Sequence, residues 1–368
     1  MLMDSYMPVK IISGKNCLKE KGQILSDFGR KCIVVTGKSS AVKCGALADA
    51  EKVLSDCNIE YIVFNEIEPN PETLTCKRAG DVAREFGAEF VLGIGGGSVL
   101  DASKAIAIFA QHPEFSHVDI YNRNIPSVHI PVILVGITSG TGSEVTGVSV
   151  LTNSSNMQKK SISGADCYAD VSFCDYSYSA TTDINTRIST ALDAFCHAFE
   201  SYVASSANNL SQLYALNALS ILSGYLLNDK IGNFLSENDF EQLYIASIYA
   251  GLAINISGTC FPHTVGYYLT EEFHVPHGKA CAVLVGALID RIKKYCPHKM
   301  ETISACMHAD ADSISAAIRK YADINIRVDE SVLKVVCERW NVNIKNFDRT
   351  PGGYSATNAF ENLREIIC

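Results

Sequence analysis

The sequence predicts an α/β domain built on a parallel sheet over residues 1–180, followed by an all-α domain over 181–368. Three observations carry this. A chain of 368 residues exceeds the size at which one hydrophobic core stops growing, so two domains are expected. Up to about residue 180, short continuous apolar runs alternate with helical patterns. From Asn185 onward only helical patterns remain.

Taken in order, KCIVVT at 31–36 reads as a strand bounded by Gly29 and Gly37. Residues 41–57 read as a helix, with Ser39 and Ser40 as cap candidates. YIVFN at 61–65 is a second strand, and 72–86 a second helix entered past Pro69 and Pro71. EFVLGIG at 89–95, a helix at 99–110, and PVILVGI at 131–137 follow. These strands are apolar throughout rather than alternating, so both faces are expected to be covered. Strand–helix alternation at this spacing implies parallel strands joined by helical crossovers. Residues 148–151 and 171–174 read as further short strands. Beyond the change near 176–182, amphipathic stretches at 187–205, 210–227, 239–257 and 277–295 predict long helices. The remainder reads as helices broken by polar turns, with Pro297 and Pro351 as breakers.

Composition narrows the function classes. A hydrophobic share of 47% excludes a mostly disordered chain. A formal net charge of −9 argues against a nucleic-acid surface and against docking on an anionic membrane. No apolar run reaches the ~18 residues needed to cross a bilayer. The longest, at 128–137, is interrupted by His129 and Pro131. The stretch MLMDSYMPVK carries Asp4 and no apolar segment, so no signal peptide is expected and the expected location is cytoplasmic. The 14 cysteines are scattered with no CxxC pair, which reads as buried or incidental thiols rather than as a disulfide framework or a thiol-clustered metal site.

Four places carry candidate chemistry. First, the strand at 89–95 runs into Gly95, Gly96, Gly97 and Ser98, then a helix holding Asp101 and Lys104 on one face. A strand, a glycine turn and a helix N-terminus make an anion site, with Ser98 as a cap or a phosphate donor. Ser98 stands where a Rossmann fingerprint has its third glycine, and the turn follows the third strand, so the pattern is not the standard one. Second, Gly37, Lys38, Ser39 and Ser40 follow the first strand without a neighbouring acid, a set that can hold a ribose 2′-phosphate or simply form a capped turn. Third, Thr138, Ser139, Gly140, Thr141, Gly142, Ser143 and Glu144 follow the fourth strand, a run whose hydroxyls and flexible backbone suit a pyrophosphate or nicotinamide edge, or simply form a polar loop. Fourth, Asp193 and His197 lie four apart on one helical face, and His263 and His277 follow in sparse, apolar contexts. One Asp and three His suit Fe(II), and also Zn(II), Co(II) or Mn(II); taken singly, such residues are as readily hydrogen-bonded interior groups.

The runs GGGSVLDASK (95–104), TSGTGSEVT (138–146), DAFCHAFE (193–200) and PHG (276–278), in this order, resemble the iron-containing (group III) alcohol dehydrogenases. The resemblance extends from Lys31 to about Leu288. It implies a dehydroquinate synthase-like fold and a dinucleotide held in a cleft between the domains. Gly96, Gly97 and Ser98 would hold the pyrophosphate, and Thr138, Ser139 and Thr141 would line the adenosine or phosphate side. Lys160 matches a family lysine near the cofactor. Asp193, His197, His263 and His277 match the family's metal ligands, with Fe(II) expected and Zn(II) as a substitute. The implied activity is hydride transfer between NADP(H) and a small uncharged alcohol or aldehyde, by a homodimer.

Two positions depart from the family pattern. Many members carry a histidine one turn after the His263 position, where this chain has Tyr267. Tyr267 or His274 would then serve the proton relay, or line the substrate pocket. NAD-preferring relatives place an Asp at the end of the first strand, where this chain has Gly37, so NADP(H) is favoured over NAD(H). Alternatives within the ancestry are a glycerol or diol dehydrogenase using NAD(H), and a dehydroquinate synthase. The synthase is disfavoured because the metal region lacks Arg and Lys. A non-catalytic nucleotide-binding relative is a further alternative, against which the complete Asp/His set speaks.

Overall fold

The computed structural model describes residues 5–122, 128–340, 342 and 344–368. The start of the MLMDSYMPVK stretch, including Asp4, lies outside the described residues. The chain divides into two compact units. One comprises Tyr6–Asp183 and Ser236–Tyr244; the other includes Ile184–Leu235 and Ile245–Cys368.

The first unit is built on eight strands: β1 (Lys10–Ser13), β2 (Lys31–Gly37), β3 (Glu60–Ile67), β4 (Phe90–Gly95), β5 (Val132–Gly136), β6 (Val148–Asn153), β7 (Gln158–Ser163) and β8 (Val171–Cys174). Six form one sheet in the order β1-β8-β5-β4-β2-β3, all parallel. The continuous apolar strands divide their side chains between two cores. Ile33, Val35, Val91 and Leu134 join one with Ala79, Ala83, Ile106 and Phe109, from the helices Thr73–Phe86 and Gly97–Gln111. Cys32, Val34, Leu92 and Ile133 join the other with Ala50, Val53 and Leu54, from the helix Ala46–Asp56. Each fully buried aliphatic side chain contributes about 1.5–3 kcal/mol, which is why these strands need no polar face.

Several elements differ from the sequence expectation. The helix expected over 41–57 is two pieces, Ser40–Lys43 and Ala46–Asp56, because Gly45 adopts φ 84 between them. β1 is a short edge strand of half-exposed residues. The stretch at 148–151 is not part of the main sheet: β6 pairs antiparallel with β7, whose polar QKKSIS buries only Ile162.

In the second unit, the helices Ile184–Val203 and Asn209–Leu226 lie wholly within it, as do Phe261–Phe273, His277–Ala282 and Val285–Tyr295. Helix 277–295 of the sequence reading is thus interrupted, at 283–284. Pro297 opens the helix Pro297–Met307 rather than breaking one, as a missing N–H costs nothing in a first turn. No single helix among the described residues is long and apolar enough to cross a membrane.

Candidate metal centre and anion-binding edge

In the helical unit, Asp193, His197 and Glu200 sit at i, i+4 and i+7 of the helix Ile184–Val203, hence on one face. All three are buried, Glu200 completely. The second contributor is the helix Phe261–Phe273, which starts with Pro262 in its first turn and carries His263. Glu200 fixes that start from outside. Its Oε2 accepts the backbone N–H of Cys260 at 2.9 Å, and its Oε1 takes the ring proton of His263 Nδ1 at 2.6 Å. A carboxylate at a helix N-terminus is favourably placed. The third contributor, His277, opens the helix His277–Ala282. Gly278 makes its close approach possible: a Cβ there would stand 1.8 Å from the Ser189 carbonyl oxygen and 2.9 Å from the Asp193 amide nitrogen.

These elements gather nitrogens around one carboxylate oxygen. Asp193 Oδ1 lies 3.5 Å from His263 Nε2, 3.8 Å from His277 Nε2 and 3.9 Å from His197 Nε2. Donor atoms sharing one ion at about 2.0–2.3 Å stand roughly 3.3–3.8 Å apart, so the separations suit a common divalent cation. Asp193 Oδ1 and His263 Nε2 are buried yet make no hydrogen bond, which is costly unless something else occupies them. The donor atoms of Asp193, His263, His277 and Cys281 all lie within 4.8 Å of one another. His197 stacks on His263 with ring centroids 4.4 Å apart.

The electrostatics ask for positive charge. Burial would raise the Asp193 pKa, but the histidines around it hold the carboxyl well below its usual range. Burial works against a proton on His263, yet Glu200 and Asp193 push its pKa up to about 10. Two buried carboxylates therefore face histidines, and a cation is what they hold best. The donor chemistry fits a borderline divalent metal.

In the α/β unit, three separate loops of the sequence meet at one place. β2, β4 and β5 are neighbours with their carboxyl ends level: Thr36 pairs with Ile94, and Gly95 with Gly136. Residues 37–40, 96–98 and 137–141 therefore share one sheet edge. Chain order reverses between β2 and β4, and open parallel sheets bind ligands at such a switch point. Gly96 and Gly97 are there for space, not for backbone freedom, since neither has a positive φ. A Cβ on Gly97 would meet Thr141 Cγ2 at 2.5 Å, and one on Gly96 would meet Thr138 Oγ1 at 3.1 Å. Gly95 is likewise closed in by Val99. The Oγ of Ser139 is buried without a hydrogen-bond partner, as expected of a hydroxyl that serves a ligand. The cradle fits a phosphate group.

Residues 8–176 match the family described as iron-containing alcohol dehydrogenase. Residues 187–332 match its C-terminal family, described as Fe-containing alcohol dehydrogenase family, C-terminal. A sulfoacetaldehyde reductase of Bilophila wadsworthia is 30% identical over 75% of this chain and 71% of its own. The chain belongs to the iron-containing alcohol dehydrogenase family. An NADPH-dependent butanol dehydrogenase of Clostridium saccharobutylicum is 29% identical over 78% of this chain and 74% of its own. The crystal structure of an iron-containing alcohol dehydrogenase from Thermotoga maritima superposes with a TM-score of 0.91, at 29% identity, covering 100% of this chain and 99% of that one. The chain is therefore an oxidoreductase of a family that acts on alcohols and aldehydes with NAD(P).

Against that family background, several sequence expectations are placed differently. Ser98 does not cap its helix; Gly96 is the cap residue, and the Ser98 hydroxyl accepts the N–H of Asn70 at 3.3 Å. Asp101 and Lys104, expected at the anion site, are buried braces for the β6–β7 hairpin. Asp101 Oδ2 accepts the Val150 N–H at 2.9 Å, and Lys104 Nζ donates to the carbonyls of Thr146 and Val148 at 2.9 and 2.6 Å. Lys160 is exposed on β7, 4.7 Å above the ring of Tyr121. Of the two relay candidates, Tyr267 stacks on His277 at 5.2 Å, whereas His274 is an exposed, left-handed helix cap at φ 55. Ser39 precedes its helix without a side-chain capping bond. Lys38 lies 3.6 Å from Glu68, an acid that follows β3 and so reaches the β2 edge only in the fold.

Two residues escaped the sequence reading: Glu200, which braces the metal group, and Cys281, which lies beside His277. Glu200 was signalled by its i+7 spacing from Asp193, and Cys281 by its i+4 spacing from His277.

Proposed function

We propose that this chain is a metal-dependent aldehyde reductase and alcohol dehydrogenase that prefers NADP(H) and acts on a small uncharged substrate. The observation that carries the reading is the convergence of His263 and His277 on the buried, unsatisfied Oδ1 of Asp193. In this reading Asp193, His263 and His277 hold the ion with His197, and Glu200 keeps the His263 ring aimed by binding its far nitrogen. A bound divalent ion supplies Lewis acidity toward an alcohol or carbonyl oxygen. A bound nicotinamide dinucleotide supplies the hydride chemistry. The protein's part is to seat both. Gly96 and Gly97 let the backbone approach the pyrophosphate, Ser139 and Thr138 offer hydroxyls, and Tyr267 covers one face of His277. The preference for NADP(H) rests on Gly37. A side chain there would point toward the Ile67 carbonyl and Ser40, and its absence leaves no carboxylate at position 37 itself to repel a 2′-phosphate.

Glu68 favours a second reading. Its pairing with Lys38 puts a carboxylate near the same edge, and an acid there can read the ribose hydroxyls of NAD(H). One experiment separates the two: reduction of short aldehydes by protein loaded anaerobically with Fe(II), with NADPH and NADH compared, with and without a chelator. Turnover faster with NADPH and abolished by the chelator is the expected result. Turnover confined to NADH would replace the cofactor preference, and turnover indifferent to the chelator would overturn the metal.

A further inference from the structure

Resting on the dinucleotide reading above, we propose that Tyr244 is a positioning residue for the dinucleotide, holding the loop 137–143 against the glycine turn by fastening Glu144 over Gly136. Tyr244 Oη donates to Glu144 Oε1 at 2.7 Å, and both residues are buried. Both atoms occupy the space left by Gly136, the last residue of β5: a Cβ there would overlap Glu144 Oε1 and Tyr244 Oη alike.

The result is a closed loop. The chain leaves the sheet at Gly136, and the Glu144 carboxylate returns to the same residue, so the Tyr244 hydrogen bond lies at the seam. Thr138, Ser139 and Thr141 lie between. On the outgoing side, the Ile137 N–H donates to the Gly95 carbonyl at 3.1 Å. On the returning side, Ser172 Oγ on β8 donates to the Glu144 carbonyl at 2.7 Å. Inside the loop, Gly142 takes φ 63 and the Ser143 N–H donates to Thr141 Oγ1 at 3.3 Å. The seam thereby sets how far Thr138 and Thr141 stand from Gly96 and Gly97, the span a pyrophosphate must fit. A loop fastened in this way gives up little freedom when a ligand binds, which favours affinity.

Tyr244 is itself held. It belongs to the α/β unit, in the segment Ser236–Tyr244 that carries the first turns of the helix Glu237–Ser257. The Tyr176 hydroxyl donates to Glu237 Oε1 at 3.1 Å and secures that helix start. The Tyr244 hydroxyl also adjoins the thiol of Cys174, the residue that pairs with Gly136 between β5 and β8. A buried carboxyl group is costly without hydrogen bonds, so Glu144 keeps the tyrosine as its donor.

The test is equilibrium binding of NADPH and of NADH, followed by the fluorescence of the reduced nicotinamide, in the unaltered protein and in Tyr244→Phe. The substitution removes one oxygen and leaves Glu144 Oε1 buried and unpaired, which frees the loop. Both dinucleotides should bind about tenfold more weakly and by the same factor, with kcat at saturating dinucleotide kept within about twofold and metal content unchanged. A merely structural role would not give this split. General destabilisation lowers kcat through the folded fraction and leaves the dissociation constant of the folded protein alone. Ser172→Ala loosens the same loop from its backbone side and should weaken both dinucleotides about threefold. It decides the matter if circular dichroism shows that Tyr244→Phe does not fold. Unchanged affinity in the folded variant, or weakening of one dinucleotide alone, would overturn the inference and leave the dinucleotide reading standing. If the unaltered protein bound neither NADPH nor NADH, both would fall.

Discussion

The two candidate sites are made by opposite means. In the helical unit the site consists of what side chains bring: a carboxylate and three imidazoles, braced by Glu200. At the edge of the α/β sheet it consists largely of what is left out, because Gly96 and Gly97 leave the space that Thr138 and Thr141 would otherwise contest. A site of side chains fails when a donor is lost. A site of missing atoms fails when one is added. Gly278 belongs to the second kind although it serves the first, since its lack of a Cβ lets His277 reach Asp193.

One prediction tests that crossover directly. Gly278→Ala drives a methyl into the Ser189 carbonyl and should destabilise the helical unit by about 3 kcal/mol, with loss of bound metal. Calorimetry and metal analysis would check it; a variant of normal stability with full metal content would contradict the packing argument. Next, Asp193→Ala should lower kcat/KM about a thousandfold, equivalent to about 4 kcal/mol, while dinucleotide binding measured by fluorescence stays near the parent value. If dinucleotide binding fell in parallel, the two sites would not be separable as described. Glu200→Gln keeps an acceptor for the Cys260 N–H but loses the charge behind His263. Metal affinity should fall by roughly 10–100-fold, measured by competition with a chelator. Gly97→Ala sharpens the comparison from the other side: dinucleotide should bind about tenfold more weakly, or ~1.4 kcal/mol, with metal content unchanged. The smallest effect is Gly37→Asp. It should shift the ratio of NADPH to NADH turnover by several-fold toward NADH, within about 1 kcal/mol; an unchanged ratio would assign the choice to Glu68 and Lys38 instead.

What the sequence revealed follows the same division. Continuous apolar strands such as 31–36 were legible because both faces are buried, and Asp193 with His197 because helical spacing is fixed. β7 was illegible because its residues are polar and its pairing with β6 comes from the fold. Asp101 and Lys104 were read as facing an anion because a glycine turn precedes them. Only the fold shows that the hairpin carbonyls claim the lysine. Glu68 stands many residues from Lys38, and nothing local brings them together. Cys281 was hidden among other scattered thiols, with its i+4 spacing from His277 the single sequence signal that sets it apart.

Glu200 divides its two oxygens between a backbone amide and an imidazole, so the first turn of the helix Phe261–Phe273 and the seat of the His263 ring are one mechanical unit. A ring that loosens lets that turn fray, and a turn that frays releases the ring. The amide protons around Cys260 and His263 thereby become an internal gauge: their exchange with solvent deuterium should slow when the ring is held from its other side, reading out occupancy of the centre from the backbone rather than from any reaction.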